Sequence, residues 1–478
     1  MNFLKVFLIV IFGLAGCQAA PDRIPAVVES RVPVVSDSGP TQPSSTSQAL
    51  SPTAAATRPA PGGLGAKAED LRGIRIQFWY AGSGDLQKEY EAQIAEFNRA
   101  NVWGINVVGR SFSAFTNLED QVLMIPKSGE LPQAVTAPLE MLLTWQGQSQ
   151  LLVSLDPYTY DPEWGLTAPE ISDFEPVFWQ SEQVGGKLWG IPAGQNVQVL
   201  FYNQSWAEEL GFRQPPASTA DFRTQACAAV KSNLKDADPE NDGTGGWIVA
   251  TDPLALESWR RALGGEPLPG QADMTYTFDT PNSVKAFTFL RKLLDENCAW
   301  NARNPAPYPY FAQRRALFFS GSLTDLPLQQ HAMELQKSND RWTILAYPSE
   351  KGPASVLVSG VSHAILQSNP AQQLAAWIFL RSLIIPRVQA RLAVAGSLLP
   401  PRTSALAELE AYRQSHSQWA QAAGWKGLLQ PAPYLASWRT ARRMLQDAVW
   451  QIMQPFTKLD GIPAILAELD RMVKGTLK

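Results

Sequence analysis

A strand, a glycine turn, a helix and a second strand open the folded part of this chain. That order restricts the possible folds more than any other feature. Residues 74–79, Ile74-Arg75-Ile76-Gln77-Phe78-Trp79, read as a strand. Tyr80-Ala81-Gly82-Ser83-Gly84 is a turn rich in glycine. Leu86, Tyr90, Ile94 and Phe97 then recur at helical spacing, with Asp85 at the N-cap position. Residues 105–108 form the next strand. A βαβ unit predicts a parallel sheet and an α/β fold. Further alternation follows: a strand at 197–202, a short helix capped by Ser205 and ending at Gly211, and a helix capped by Ser218 or Thr219 that carries Phe222, Ala226 and Val230. A strand at 247–250 comes next, then helices marked by Val284, Phe287 and Leu294 and by Leu374, Trp377 and Ile378.

In open α/β sheets, ligands bind beyond the carboxyl ends of the strands. That rule nominates Trp79 and Tyr80 after the first strand, and Gln195 and Asn196 beside a proline-bounded segment. It also nominates Asp252 after the 247–250 strand, and Ser320, Gly321 and Ser322 after a strand at 316–319. Each has a second reading. The aromatic residues could be core, and Asp252 in Thr251-Asp252-Pro253 could simply cap the next helix.

The first residues are expected to lie outside the fold. Lys5 precedes an apolar run at 6–14, too short to span a bilayer but suited to a secretory signal. The run ends in Leu14-Ala15-Gly16-Cys17, which resembles the bacterial lipobox. By that resemblance residues 1–16 are a signal peptide and Cys17 carries a lipid that anchors the chain to a membrane. Residues 17–67 are expected to be a disordered tether. Their middle is rich in Pro, Ser and Thr and lacks aromatic residues from 21 to 61, so it cannot bury enough apolar surface to offset the entropy of ordering. Such a tether spans about 40 Å.

Composition narrows the function. The net charge of −4 argues against nucleic-acid binding. Three His and three Cys leave little from which to build a zinc site, and no cofactor is expected. The 16 Trp require an explanation, either as core or as binding surface. Asp238 to Gly243 starts like a calcium-binding loop, but Val249 stands where the bidentate Glu belongs, so a solvated acidic loop is the expectation. No G-x-S-x-G, H-E-x-x-H or P-loop pattern occurs, and the adjacent Ser362 and His363 do not make a triad. A carbohydrate-active enzyme is kept as an alternative, because acid pairs are too numerous to dismiss.

Five segments in order resemble the solute-binding proteins of bacterial ABC transporters, of the maltose- and glycerol-3-phosphate-binding kind. They are Gly186-Lys187-Leu188-Trp189-Gly190-Ile191-Pro192; Val199-Leu200-Phe201-Tyr202-Asn203; Arg315 to Ser322; Ser359-Gly360-Val361-Ser362-His363-Ala364-Ile365; and Ala395-Gly396-Ser397-Leu398-Leu399-Pro400. The resemblance runs from about Arg75 to the C-terminus. It implies a two-lobed type II periplasmic-binding fold, with lobe one at 69–196 plus 358–396 and lobe two at 202–354 plus 403–478. A ligand would close the lobes around a hinge. It further implies a monomer that captures a sugar or oligosaccharide outside the cytoplasm and delivers it to permease subunits. Gly360 would allow close backbone approach to the ligand. Trp438 matches a sugar-stacking aromatic, and Arg439 stands where glycerol-3-phosphate binders place a phosphate-contacting Arg. Two departures, Pro138 or Leu139 where that group has an acid and Ser397 where it has Tyr, favour carbohydrate over a phosphorylated polyol. Cys227 and Cys298 fall together in lobe two, where export permits a disulfide.

Overall fold

The computed structural model describes residues 64–125, 130–268, 276–350 and 355–476. The signal segment, Cys17 and most of the tether lie outside them. The opening unit folds as expected: β1 (Arg75–Ala81) leads through helix α1 (Gly84–Ala100) to β2 (Asn106–Phe112), and the two strands pair in parallel. Helix α2 (Phe115–Met124) and β3 (Ala134–Pro138) follow, with β3 parallel to β1, and α3 (Leu139–Ser149) comes next. A small hairpin of β4 (Gln183–Val184) and β5 (Lys187–Leu188) precedes the long β6 (Ile191–Asn203). The remaining strands are β7 (Gly245–Ile248), β8 (Ala299–Trp300), β9 (Ala316–Ser322), β10 (Trp342–Leu345), β11 (Val356–Ile365) and β12 (Leu429–Pro431).

The main sheet runs β2-β1-β3-β11-β6-β9-β7-β8, and β6 joins its two halves. From Ile191 to Val197, β6 pairs with β11 beside β3 and β1. From Gln198 onward it pairs with β9, and from Leu200 to Asn203 also with β10. One strand therefore belongs to both lobes, and a bend near its middle can move one lobe against the other.

Helices cover both faces of each half, so successive side chains enter different cores. In β1, Ile76, Phe78 and Tyr80 enter one core while Trp79 enters the core on the opposite face. In β6, Leu200 and Tyr202 face one core of lobe two, and Val197, Val199 and Phe201 face the other. Trp247, Trp259 and Trp377 have no exposed surface and are core. Cys227, on the helix Thr219–Asn233, is disulfide-bonded to Cys298 beside β8. Among the described residues, no helix is long and apolar enough to cross a membrane.

Local expectations shift by a few residues. Ser83, not Asp85, is the N-cap residue of α1, and Asp85 pairs with Lys88 in the first turn. Asn203 caps the short helix Gln204–Glu209 by accepting from Trp206 N, and the Ser205 hydroxyl accepts from Arg341 N instead. Ser218 caps its helix, with Asp221 bonding back to the Ser218 N–H. The Asp238 loop turns its polar groups on itself: Asp236 accepts from Asp238 N and from the Asn241 amide.

Candidate functional site

The carboxyl edge of the lobe-one strands faces a cavity of about 890 Å³, within the usual range of ligand pockets. Both lobes line it. From lobe one come the turn after β1 (Gly82, Ser83), the start of α2 (Ser113, Phe115), and Thr136 and Glu140 around the end of β3. The hinge contributes Gly194 and Asn196 from β6 and Ser359 and Gly360 from β11. Leu254, Thr324, Leu328, Trp438 and Arg442 form the opposite wall.

Three of the nominated residues meet here: Asn196, Gly360 and Trp438. Asn196 donates to the Thr324 hydroxyl at 3.3 Å and accepts from the Val197 N–H, linking the hinge to the far wall. Gly360 makes room for the Gln195 side-chain amide, which a larger residue would have to push aside. A Cβ there would fall 2.3 Å from Gln195 Oε1. Gln195 itself is buried: its backbone exchanges two hydrogen bonds with Leu399, and its side chain lines a separate chamber of about 40 Å³ behind the hinge. Trp438 lines the cavity, yet only 1% of it is accessible, and its ring packs edge-on against Tyr276 in the lobe-two core.

The other nominated residues do not line the cavity. Trp79 packs against Phe112 under the Arg110 guanidinium and donates to Gln77 Oε1 at 3.0 Å. Tyr80 is core, packed on Tyr90. The reason is strand length. β1 continues to Ala81, so its carboxyl end is the turn beyond Tyr80. Likewise β9 continues to Ser322, which keeps Ser320, Gly321 and Ser322 paired with β6, and the cavity is reached only at Thr324. Asp252 caps the helix Pro253–Ala262 by accepting from Leu254 N and Ala255 N. Arg439 points away from the cavity to Glu119 of α2, an ion pair between the lobes.

Glu119 is buried and also accepts from Trp145 Nε1 at 3.3 Å. One helical turn along from Arg439, Arg442 meets Glu140 of α3 at 3.1 Å. Two ion pairs therefore cross from lobe to lobe on one flank of the cleft. Burial raises the Glu140 carboxyl above the ordinary carboxylate range, with Arg442 pulling it back. Glu140 supplies an acid just past Pro138 and Leu139, where the sequence reading found none. Phe115, half-buried, is the most open aromatic on the cavity wall. Sequence reasoning passed over both because they stand two or three residues beyond their strands, on the first turns of the helices that follow.

Behind the cavity, Ser362 and His363 point to opposite faces of β11. Ser362 donates to Glu182 at 2.6 Å, whereas His363 Nδ1 meets the Thr136 hydroxyl at 2.7 Å. Burial pushes Glu182 up to about 8 and His363 down to about 3. The two residues have different partners on different faces, so they do not form a nucleophile and its base.

The comparisons with known proteins agree with this geometry. Residues 92–425 match a family described as bacterial extracellular solute-binding protein. A curated relative from Brucella abortus, whose name goes no further than binding protein, is 21% identical over 211 residues, 43% of this chain and 48% of its own length. The chain thus spans about half the length of the curated relatives it matches. Among solved structures, the sugar-binding protein MalE from Xanthomonas citri aligns with a TM-score of 0.70 at 18% identity, covering 84% of this chain and 97% of that one. UgpB from Mycobacterium tuberculosis, solved with glycerophosphocholine, aligns at 0.67 and 15% identity, covering 84% and 99%. A sheet halved by a shared strand, a cavity lined from both halves and a family match over most of the chain lead to one assignment: this chain belongs to the bacterial extracellular solute-binding proteins.

Proposed function

We propose that this protein is the lipid-anchored binding component of an ABC importer, that it captures a sugar or oligosaccharide between its lobes, and that it hands the ligand to permease subunits. The observation that carries the reading is the cavity of about 890 Å³ lined from both lobes, because closure can then be driven by a ligand that touches both walls. The proposed lobes are 69–196 with 358–396 and 202–354 with 403–478. Cys17 is the proposed lipid site, with the tether holding a monomeric body off the membrane.

Within the cavity, Ser83, Ser113, Thr136, Asn196 and Ser359 offer neutral hydrogen-bonding groups for sugar hydroxyls. Phe115 offers a ring face for a pyranose. A phosphorylated polyol is less well served. The cationic group on the wall, Arg442, is already paired with Glu140, so a phosphate would have to displace a carboxylate. Catalysis is not part of the proposal: among the described residues lining the cavity, Glu140 has no second carboxylate beside it to flank a glycosidic bond.

A thermal-shift screen tests the reading. A sugar at a hundred times its Kd should raise the melting temperature by about 3 °C for a body of this size. If sugars leave it unchanged while glycerol-3-phosphate or glycerophosphocholine raises it, the sugar assignment is wrong.

A further inference from the structure

The two walls of the cavity differ in chemistry. The lobe-one wall and the hinge set the hydroxyls of Ser83, Ser113 and Ser359 among apolar Leu86, Phe115, Leu392 and Leu398, while Thr136 already meets His363 and Asn196 meets Thr324. On the lobe-two wall, Leu254, Pro327, Leu328 and Pro433 are apolar. Among the described residues its polar side chains are Thr324, which accepts from Asn196, Arg442, which is bound to Glu140, and Trp438, which is almost fully buried. A plain oligosaccharide carries hydroxyls around every ring, and on this wall they would lose water without gaining partners. An unpaired buried hydroxyl is costly.

Leu328 sharpens the point. It sits near the start of the helix Leu326–Leu335 and is 51% exposed while lining the cavity. Half of a large apolar side chain facing a polar cleft gains nothing unless something apolar covers it.

We infer that the ligand is a two-ended glycoside: its sugar meets lobe one and the hinge, and an alkyl, acyl or aryl substituent lies against Leu254, Pro327 and Leu328 of lobe two. The inference rests on the sugar reading above and deepens it. Selectivity then comes from the substituent, because lobe two contributes apolar area in place of directed hydrogen bonds.

The test is calorimetric titration of the full chain with matched pairs, the methyl and hexyl α- and β-glucosides and maltosides, kept below their micelle concentrations. Burying even a third of the five added methylenes is worth about tenfold in affinity. The expected result is a hexyl glycoside bound at least ten times more tightly than its methyl partner, with Leu328→Ser reducing that ratio at least threefold. Leu328 is half exposed, so the variant should melt within a degree or two of the parent, which separates lost contact from lost fold. Methyl and hexyl affinities within twofold of each other would overturn the inference and leave the sugar reading standing. If no glycoside of either kind binds, the sugar reading falls, and this inference falls with it.

Discussion

Two kinds of charge pair hold this molecule, and they serve different ends. Arg260 and Glu257 lie one turn apart on the helix Pro253–Ala262, both almost fully buried, joined through two N–H···O contacts of 2.6 and 2.7 Å. They never leave one lobe. Arg439–Glu119 and Arg442–Glu140 join helices of different lobes, with each arginine a quarter to a third exposed. A pair inside one lobe is made once, on folding. A pair across the cleft breaks wherever the lobes part, so in the proposed closure its free energy would enter ligand affinity and not the stability of either lobe.

The contrast can be broken most forcefully at the internal pair. Arg260→Ala strands a buried carboxylate and should lower global stability by about 3–5 kcal/mol in a urea titration. A loss below about 1 kcal/mol would mean that Glu257 finds water or another donor. Glu119→Gln keeps an acceptor for Trp145 and removes the charge that Arg439 needs. It should weaken ligand binding about fivefold and expand the ligand-free protein in X-ray scattering, with the melting temperature nearly unchanged. A large drop in melting temperature would show that Glu119 acts within its own lobe.

Acidity separates the internal groups further. The Glu182 carboxyl is raised from its ordinary value to about 8, so the folded chain holds this proton more tightly than the unfolded chain. Its stabilisation is complete below about pH 4.5 and declines as pH rises toward 8. His363 is lowered to about 3, so its share is complete above pH 6.5 and declines as pH falls. The two slopes oppose each other between about pH 4.5 and 6.5, which predicts a stability plateau there with a fall on either side. Glu182→Gln should remove the alkaline fall in a pH series of melting curves. An unchanged alkaline limb would place its cause elsewhere. The smallest effect is expected from salt. Raising it from about 0.05 to 0.5 M should weaken ligand affinity about twofold by screening the half-open crossing pairs, and leave the buried Arg260–Glu257 pair untouched.

How much of the site could be read beforehand depended on where strands end. The strand-end rule nominates Asn196, the family resemblance adds Gly360 and Trp438, and all three line the cavity. Ending the first strand at Trp79 nominates Trp79 and Tyr80, yet its ladder with β2 continues to Ala81 paired with Phe112. Two more residues of pairing carry both rings into the cores and bring Gly82 and Ser83 to the edge. The same slip moved the choice from Thr324 to Ser320, Gly321 and Ser322. No local pattern announces such an extension, because it depends on a partner strand distant in sequence.

The tryptophans divide in the same way. Their number called for either a large core or a binding surface, and the described fold uses Trp145, Trp247, Trp259, Trp377, Trp419 and Trp438 as fully buried packing. The aromatic proposed to face a sugar is Phe115, which no composition argument would choose.

By itself the sequence determined the α/β class, the parallel opening unit and the order of segments that resembles solute-binding proteins, and it narrowed one helix cap to Ser218 or Thr219. Those follow from local periodicity and from motifs a few residues long. Tertiary structure alone decided which side chains reach the cavity, that Leu254, Pro327 and Leu328 stand together on the lobe-two wall, and that Arg439 pairs with Glu119. Each of those depends on two segments far apart in the chain meeting across a cleft, and alternation along one strand tells which residues share a face but not what the other lobe brings to it.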